Sequence, residues 1–265
     1  MGSGGQREHS VKRLFIGILI GLLCLFAFMS CEEAEDIQKG DITLRVATYN
    51  IQNGAGVGHD MSLLAEDIKA MELDIVGLQE VDICTTRALG LDTLKLLAEA
   101  AGYPYYAFTK SIDFAGGEYG TAILSRYPIT AHESIPLDTP VGYEKRAYGH
   151  ATIDVDGFEL HFFNTHLSWE DVTIRTTQLS ALSKAVKDRT NYVVSADFNT
   201  EDLGEFEVFE DSRLVNTGGY ETYPSGHSAI DNLIIPKSWS IADSGVYASG
   251  RSDHNMLWAE IKIEK

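Results

Sequence analysis

The sequence predicts an α+β fold in which two packed sheets carry helices on their outer faces. Three observations point there. Segments of strand composition are many, helical segments are few, and residues 41–265 contain no repeat, low-complexity tract or Pro/Gly-rich linker long enough to separate two cores. A doubly wound sheet would satisfy the same periodicities, so pattern alone leaves both open.

Each element has a local reason. Residues 42–49 alternate apolar and polar with period two, the mark of a strand. Asp60 can cap a helix whose Leu64, Ile68 and Met71 fall on one face. Residues 75–78 read as a short buried strand, and Leu94, Leu97, Ala98 and Ala101 mark a second helix. Strand composition returns at 120–125, 149–154, 159–164, 192–196, 229–235 and 255–263, with Asp156-Gly157 as a hairpin turn. Residues 174–186 form the third helix, with Leu179, Leu182 and Val186 on its apolar face.

Composition bounds the function. The net charge of −18 comes with 44% hydrophobic residues, which excludes a disordered acidic tail. It also argues against a broad basic surface that binds nucleic acid by counterion release, so a polyanion would need a local cationic site or a metal. Cys24, Cys31 and Cys84 are too few for a disulfide framework or a structural thiolate zinc site.

At the start, Arg7, Lys12 and Arg13 precede an uncharged apolar run over 14–29, followed by Ser30-Cys31. The run is shorter than the roughly twenty residues of a membrane span and reads as a secretory signal. Residues 1–31 resemble a bacterial lipoprotein signal, which implies a lipid on Cys31 and export to an outer membrane or cell surface. Bulky Phe28 and Met29 depart from the usual small-residue pattern. Residues 32–41 are an acidic tether, and 42–265 are the expected catalytic domain.

Several apolar strands run directly into carboxylates, amides or imidazoles: Tyr49-Asn50, Leu78-Gln79-Glu80, Asn164-Thr165-His166, Asp197-Phe198-Asn199, Ile230-Asp231 and Asp253-His254. Strands of a sheet end at a common rim, so these groups can converge in one cleft. An oxygen-rich set of this kind suits Mg²⁺. Singly, each is better explained as a turn or cap.

The ordered set resembles the endonuclease/exonuclease/phosphatase family. The matching pieces are Thr48-Tyr49-Asn50, Leu78-Gln79-Glu80-Val81-Asp82, residues 120–126, Asn164-Thr165-His166-Leu167, Ala196-Asp197-Phe198-Asn199, Ile230-Asp231 and Ser252-Asp253-His254. The resemblance implies a four-layered α/β/β/α sandwich of mainly antiparallel sheets that hydrolyses phosphate esters with Mg²⁺ or Mn²⁺. It implies that Glu80 ligates the metal with Asn50 beside it, and that Asp253 is a further metal or water contact. Asp197 and Asn199 would orient the attacking water and the phosphate. His254, held by Asp231, would bind the phosphate; His166 would be a general acid with Glu118 as its carboxylate partner. Ala196 and Asn232 stand where the family often has Gly and Tyr.

Arg126 and Arg146 are candidate substrate contacts because guanidinium matches phosphate bidentately, and His227 is a candidate site-lining residue. Residues 54–60 and 200–210 carry no Lys or Arg, and the second stretch is strongly acidic. A small or lipid-headgroup phosphate ester is therefore favoured as substrate, with nucleic acid the less favoured partner and the chain a monomer. A nuclease is the competing enzyme reading. A catalytically silent binding lipoprotein is the reading from another class, and retention of the whole polar set argues against it.

Overall fold

The structure is a computed structural model that describes Met1 and residues 41–264. The signal, Cys31 and nearly all of the tether lie outside the described residues. Among those described, no helix is long and apolar enough to cross a membrane.

Twelve strands are described: β1 (Ile42–Asn50), β2 (Ile75–Ile83), β3 (Tyr105–Phe114), β4 (Gly117–Ser125), β5 (Ile129–Pro136), β6 (Ala147–Val155), β7 (Phe158–His166), β8 (Tyr192–Asp197), β9 (Ser212–Leu214), β10 (Asp231–Pro236), β11 (Ser240–Tyr247) and β12 (Met256–Ile263). The helices are α1 (Met61–Ala70), α2 (Thr93–Ala101) and α3 (Val172–Val186). One sheet has the order β11-β12-β1-β2-β4-β3, the other β5-β6-β7-β8-β10-β9. Within each sheet one central pair is parallel, β1–β2 and β7–β8, and the other described pairings are antiparallel. Each parallel pair is bridged by a helix, α1 or α3, because a parallel return needs a long crossover.

Side-chain alternation builds the layers. On β1, Leu44 and Val46 enter the apolar core between the sheets with Ile153, Phe162 and Leu257, whereas Ala47 and Tyr49 pack outward with Leu64 and Leu97 of α1 and α2. On β8, Val193 points to the inter-sheet core, and Tyr192 and Val194 pack with Leu179 and Leu182 of α3. The result is the α/β/β/α sandwich. Each helix begins at an aspartate cap: Asp60 accepts from Ser62 N at 3.1 Å, Asp92 from Lys95 N at 3.0 Å and Asp171 from Thr173 N at 2.7 Å.

Candidate active site

The ends of β1, β7 and β8, the start of β10 and the turn before β12 meet at one edge of the sandwich, over a cavity of about 490 Å³. Glu80 reaches it by a backbone irregularity. Leu78 pairs with Ala122 and Val81 with Gly120, so Gln79 and Glu80 together oppose Thr121. Strict alternation would send Glu80 outward beside Leu78, which packs in the helix-side core. Instead the bulge, with Glu80 at φ +56°, turns its carboxylate into the cavity. Bulges re-aim side chains in this way, at the cost of a strained backbone.

The bulge is held from the opposite sheet. Asn164 Nδ2 donates to Leu78 O and Ala122 O, both at 2.8 Å, and Asn164 Oδ1 accepts from Gln79 Nε2 at 2.7 Å and Ser195 Oγ at 2.9 Å. The sheets approach so closely that a Cβ on Gly77 would lie 1.9 Å from Ser195 Oγ. Two residues further along these strands, register places His166 beside Asp197 and Asp197 beside Asp231.

Asp197 Oδ2 is the hub. Asn50 Nδ2 donates to it at 3.0 Å, His166 Nε2 lies at 3.4 Å and His254 Nε2 at 3.7 Å. Asp197 Oδ1 accepts from the backbone N of Asn199 at 3.0 Å. Asn50 Nδ2 also donates to Glu80 Oε1 at 3.2 Å. His254 Nδ1 lies 2.9 Å from Asp231 Oδ2.

Burial and charge separate the roles of these groups. Burial, then the neighbouring Asp231, pushes Asp197 well above the usual carboxylate range. Burial alone would lower His254, but the charge and hydrogen bond of Asp231, with Asp197 and Asp253 behind it, raise it to about 9. His254 is therefore an imidazolium at neutral pH. His166 is lowered well below its ordinary value by burial, Arg146 and His254, so its ring is neutral. Burial also raises Glu80, helped by Asp253.

Glu80 and Asp253 form a carboxylate pair with no ion pair to a side-chain cation among the described residues. Burial and Asp253 disfavour the Glu80 carboxylate, the Asn50 hydrogen bond and the charges of His254 and Arg87 offset this only in part, and two carboxylates on one cavity wall supply the oxygen ligands that a hard divalent cation prefers. Asp197, Asp231 and His254 also bring ligand atoms within 4.8 Å of one another. In that trio the imidazole is held protonated by Asp231, and a protonated imidazole is not a ligand, so the Glu80 and Asp253 carboxylates fit the ion better.

Residues 47–254 match the Endonuclease/Exonuclease/phosphatase family. The chain belongs to that family. Among curated relatives, an uncharacterized Caenorhabditis elegans protein, F14F9.5, is 30% identical over 127 residues, which are 48% of this chain and only 34% of that protein. The uncharacterized protein YbhP of Escherichia coli K12 is 28% identical over 61% of this chain and 69% of its own length. Among solved structures, an endonuclease/exonuclease/phosphatase from Beutenbergia cavernae superposes with TM-score 0.72 at 22% identity, covering 84% of this chain and 72% of that one. A mannosyl-6-phosphatase of Bacteroides thetaiotaomicron superposes with TM-score 0.62 at 18% identity, covering 82% and 99%. These likenesses establish the four-layer phosphoesterase and nuclease fold.

Of the residues expected from sequence, Asn50, Glu80, His166, Asp197, Asn199, Asp231, Asp253 and His254 converge, and Arg146 lines the same cavity, ion-paired to Glu144 at 3.1 Å. Three expectations are corrected. Glu118 is bonded to Lys110 at 2.9 Å and His166 Nδ1 has no partner, so Glu118 does not orient that ring. Arg126 follows the far end of β4, where Ser125 pairs with Ile75 at the start of β2, and its guanidinium lies over Tyr103. His227 is exposed and pairs with Glu221 instead of lining the cavity. Sequence reasoning missed Arg87, Tyr119 and Trp169 in the cavity wall. The Asp82…Arg87 charge pair, five residues apart after the Glu80 strand, was the one available signal.

Proposed function

We propose that this protein is an exported, divalent-metal-dependent phosphoesterase that hydrolyses a phosphodiester or phosphomonoester of a small or lipid-headgroup substrate. The observation that carries the reading is that the Glu80 and Asp253 carboxylates share one small cavity with Asp197 and with His254, whose Nδ1 is held by Asp231. Glu80 and Asp253 would hold Mg²⁺ or Mn²⁺, with Asn50 Nδ2 steering the Glu80 carboxylate, and the ion would neutralise phosphate charge and polarise the P–O bond.

The chain's own groups do the rest. His254 fixes Nδ1 on Asp231 and leaves Nε2–H for a phosphate oxygen, where its positive charge favours the more anionic transition state. Asp197, made more basic by burial and by Asp231, suits the acceptance of a proton from attacking water. Asn199 commits its side-chain amide to Leu167 O at 3.0 Å, which orients the turn after β8. His166, being neutral, is a close neighbour of Asp197, 3.4 Å away, and not a charged acid, a revision of its expected role.

The cavity is of ordinary size for a small ligand. The acidic stretch after Asn199 disfavours a long polyanion. Export and attachment through Cys31 rest on the signal-like first residues. The test is hydrolysis of bis-p-nitrophenyl phosphate and of plasmid DNA by the full chain with Mg²⁺ or Mn²⁺, alongside Glu80→Ala and His254→Ala. Turnover of the small ester that both variants lose supports the reading. Preferential cleavage of plasmid would replace it with a nuclease.

A further inference from the structure

We infer that the cavity holds a second anion subsite, in which Arg87 reads a further negatively charged group on the substrate, a phosphate or carboxylate separate from the ester that is cleaved. The inference rests on the phosphoesterase reading and deepens it to a substrate class: phosphate esters that carry a second anionic group.

The segment after β2 is built around this guanidinium. Asp82, fully buried, accepts from Arg87 Nε at 2.7 Å and Nη2 at 2.9 Å, and also from Thr85 Oγ1. Thr93 Oγ1 donates to Asp82 O, and Thr86 N to Ala115 O, which ties the segment to the β3–β4 turn. The guanidinium lies over the rings of Phe114 at 4.5 Å and Tyr119 at 5.1 Å. An arginine clamped by a fork and two rings has little conformational freedom left to lose on binding.

A purely structural partner for Asp82 would be expected to be covered. Arg87 instead borders the cavity with 37% of its side chain accessible, and its Nη1 has no hydrogen-bond partner among the described residues. The Phe114 and Tyr119 rings are already engaged by this guanidinium, which fixes its position at the cavity wall. Arg146, buried and with Nε unpartnered, borders the same cavity. Arg87, clamped but with Nη1 open to the cavity, beside Arg146, whose Nη1 is ion-paired to Glu144, fits a compact ester that carries a second anionic group.

The test uses matched pairs with the full chain in non-ionic detergent. Calorimetry with EDTA compares fructose 1,6-bisphosphate with fructose 6-phosphate, and dioctanoyl phosphatidylinositol 4-phosphate with dioctanoyl phosphatidylinositol. The second anion is expected to improve affinity at least roughly tenfold in one pair, and which pair responds distinguishes a soluble ester from a lipid headgroup. Because Arg87→Ala strands Asp82, the variants are Arg87→Lys, which keeps the charge, and Asp82→Asn/Arg87→Gln, which removes both charges. In each folded variant the preference is expected to fall at least several-fold. No wild-type preference in either pair, or a preference retained in a folded variant, overturns the subsite. Hydrolysis of bis-p-nitrophenyl phosphate by the wild type is scored separately, so failure of the subsite and failure of the hydrolase reading remain distinguishable.

Discussion

Replacing Asp231 with Asn removes the charge that keeps His254 protonated while preserving an oxygen that can accept from Nδ1. The raised pKa of about 9 against an ordinary 6.5 corresponds to about 3 kcal/mol of preference for the imidazolium. At pH 7.5 the wild-type ring is thus protonated by roughly thirty to one. Without the Asp231 charge, the desolvation that opposes protonation should bring the pKa to 6.5 or lower, and the protonated share to about a tenth or less. Two-dimensional NMR titration of the ring nitrogens without metal, assigned with His254→Gln, measures both values. Phosphoester turnover at pH 7.5 should fall at least tenfold from the population change alone. The sign of the stability effect follows: the Asp231–His254 contribution is complete below about pH 6.5 and is lost as pH rises through about 9. A His254 pKa still above 8 in Asp231→Asn, or one already below 7 in the wild type, would refute the reasoning.

Further outcomes follow from the same geometry. The pH profile of kcat/KM should fall on the alkaline side near 9 as His254 loses its proton, and Asp231→Asn should move that limb to lower pH; a stopped-rate series from pH 5 to 10 checks both. Asn164→Ala removes two donors to carbonyls of the facing sheet and two accepted bonds, so urea unfolding should show a loss of about 2–4 kcal/mol. The same variant should weaken Mn²⁺ binding in calorimetry, because the bulge that aims Glu80 loses its support. Gly77→Ala drives a methyl group into Ser195 and Asn164 and should cost about 1–3 kcal/mol in the same assay. Glu80→Gln removes a carboxylate whose ionisation burial disfavours, so the metal-free variant should melt above the wild type at pH 8 by calorimetric scanning, and yet lose metal-dependent turnover.

What the sequence reveals about this fold follows exposure. The strands it marks are those whose inner positions are apolar, such as β1, β7 and β8. The strands it does not mark, β3, β5, β9 and β11, are the four sheet edges. Edge strands bury little on either side, so residues 105–114 and 240–247 show no clean alternation. The sequence places the end of β2 at Leu78 because Gln79-Glu80 looks like a terminus, whereas the strand continues through the bulge to Ile83. The carboxylates and imidazoles of the site are legible because each borders an apolar run in the sequence. Arg87, Tyr119 and Trp169 reach the cavity from a loop, a hairpin and a turn, and nothing in their local sequence fixes where those segments lie in space. Glu118, one residue before Tyr119, shows how a shift of one position on a strand exchanges the cavity for solvent.

The central claim, metal-dependent phosphoester hydrolysis in the Glu80–His254 cavity, is tested most directly by adding metal back. The full chain is treated with EDTA, desalted and titrated with Mn²⁺ while hydrolysis of bis-p-nitrophenyl phosphate is followed. The account predicts negligible turnover in the stripped protein, saturable recovery with Mn²⁺, and no recovery in Glu80→Ala. Full turnover in the stripped protein, or equal recovery in Glu80→Ala, would contradict it.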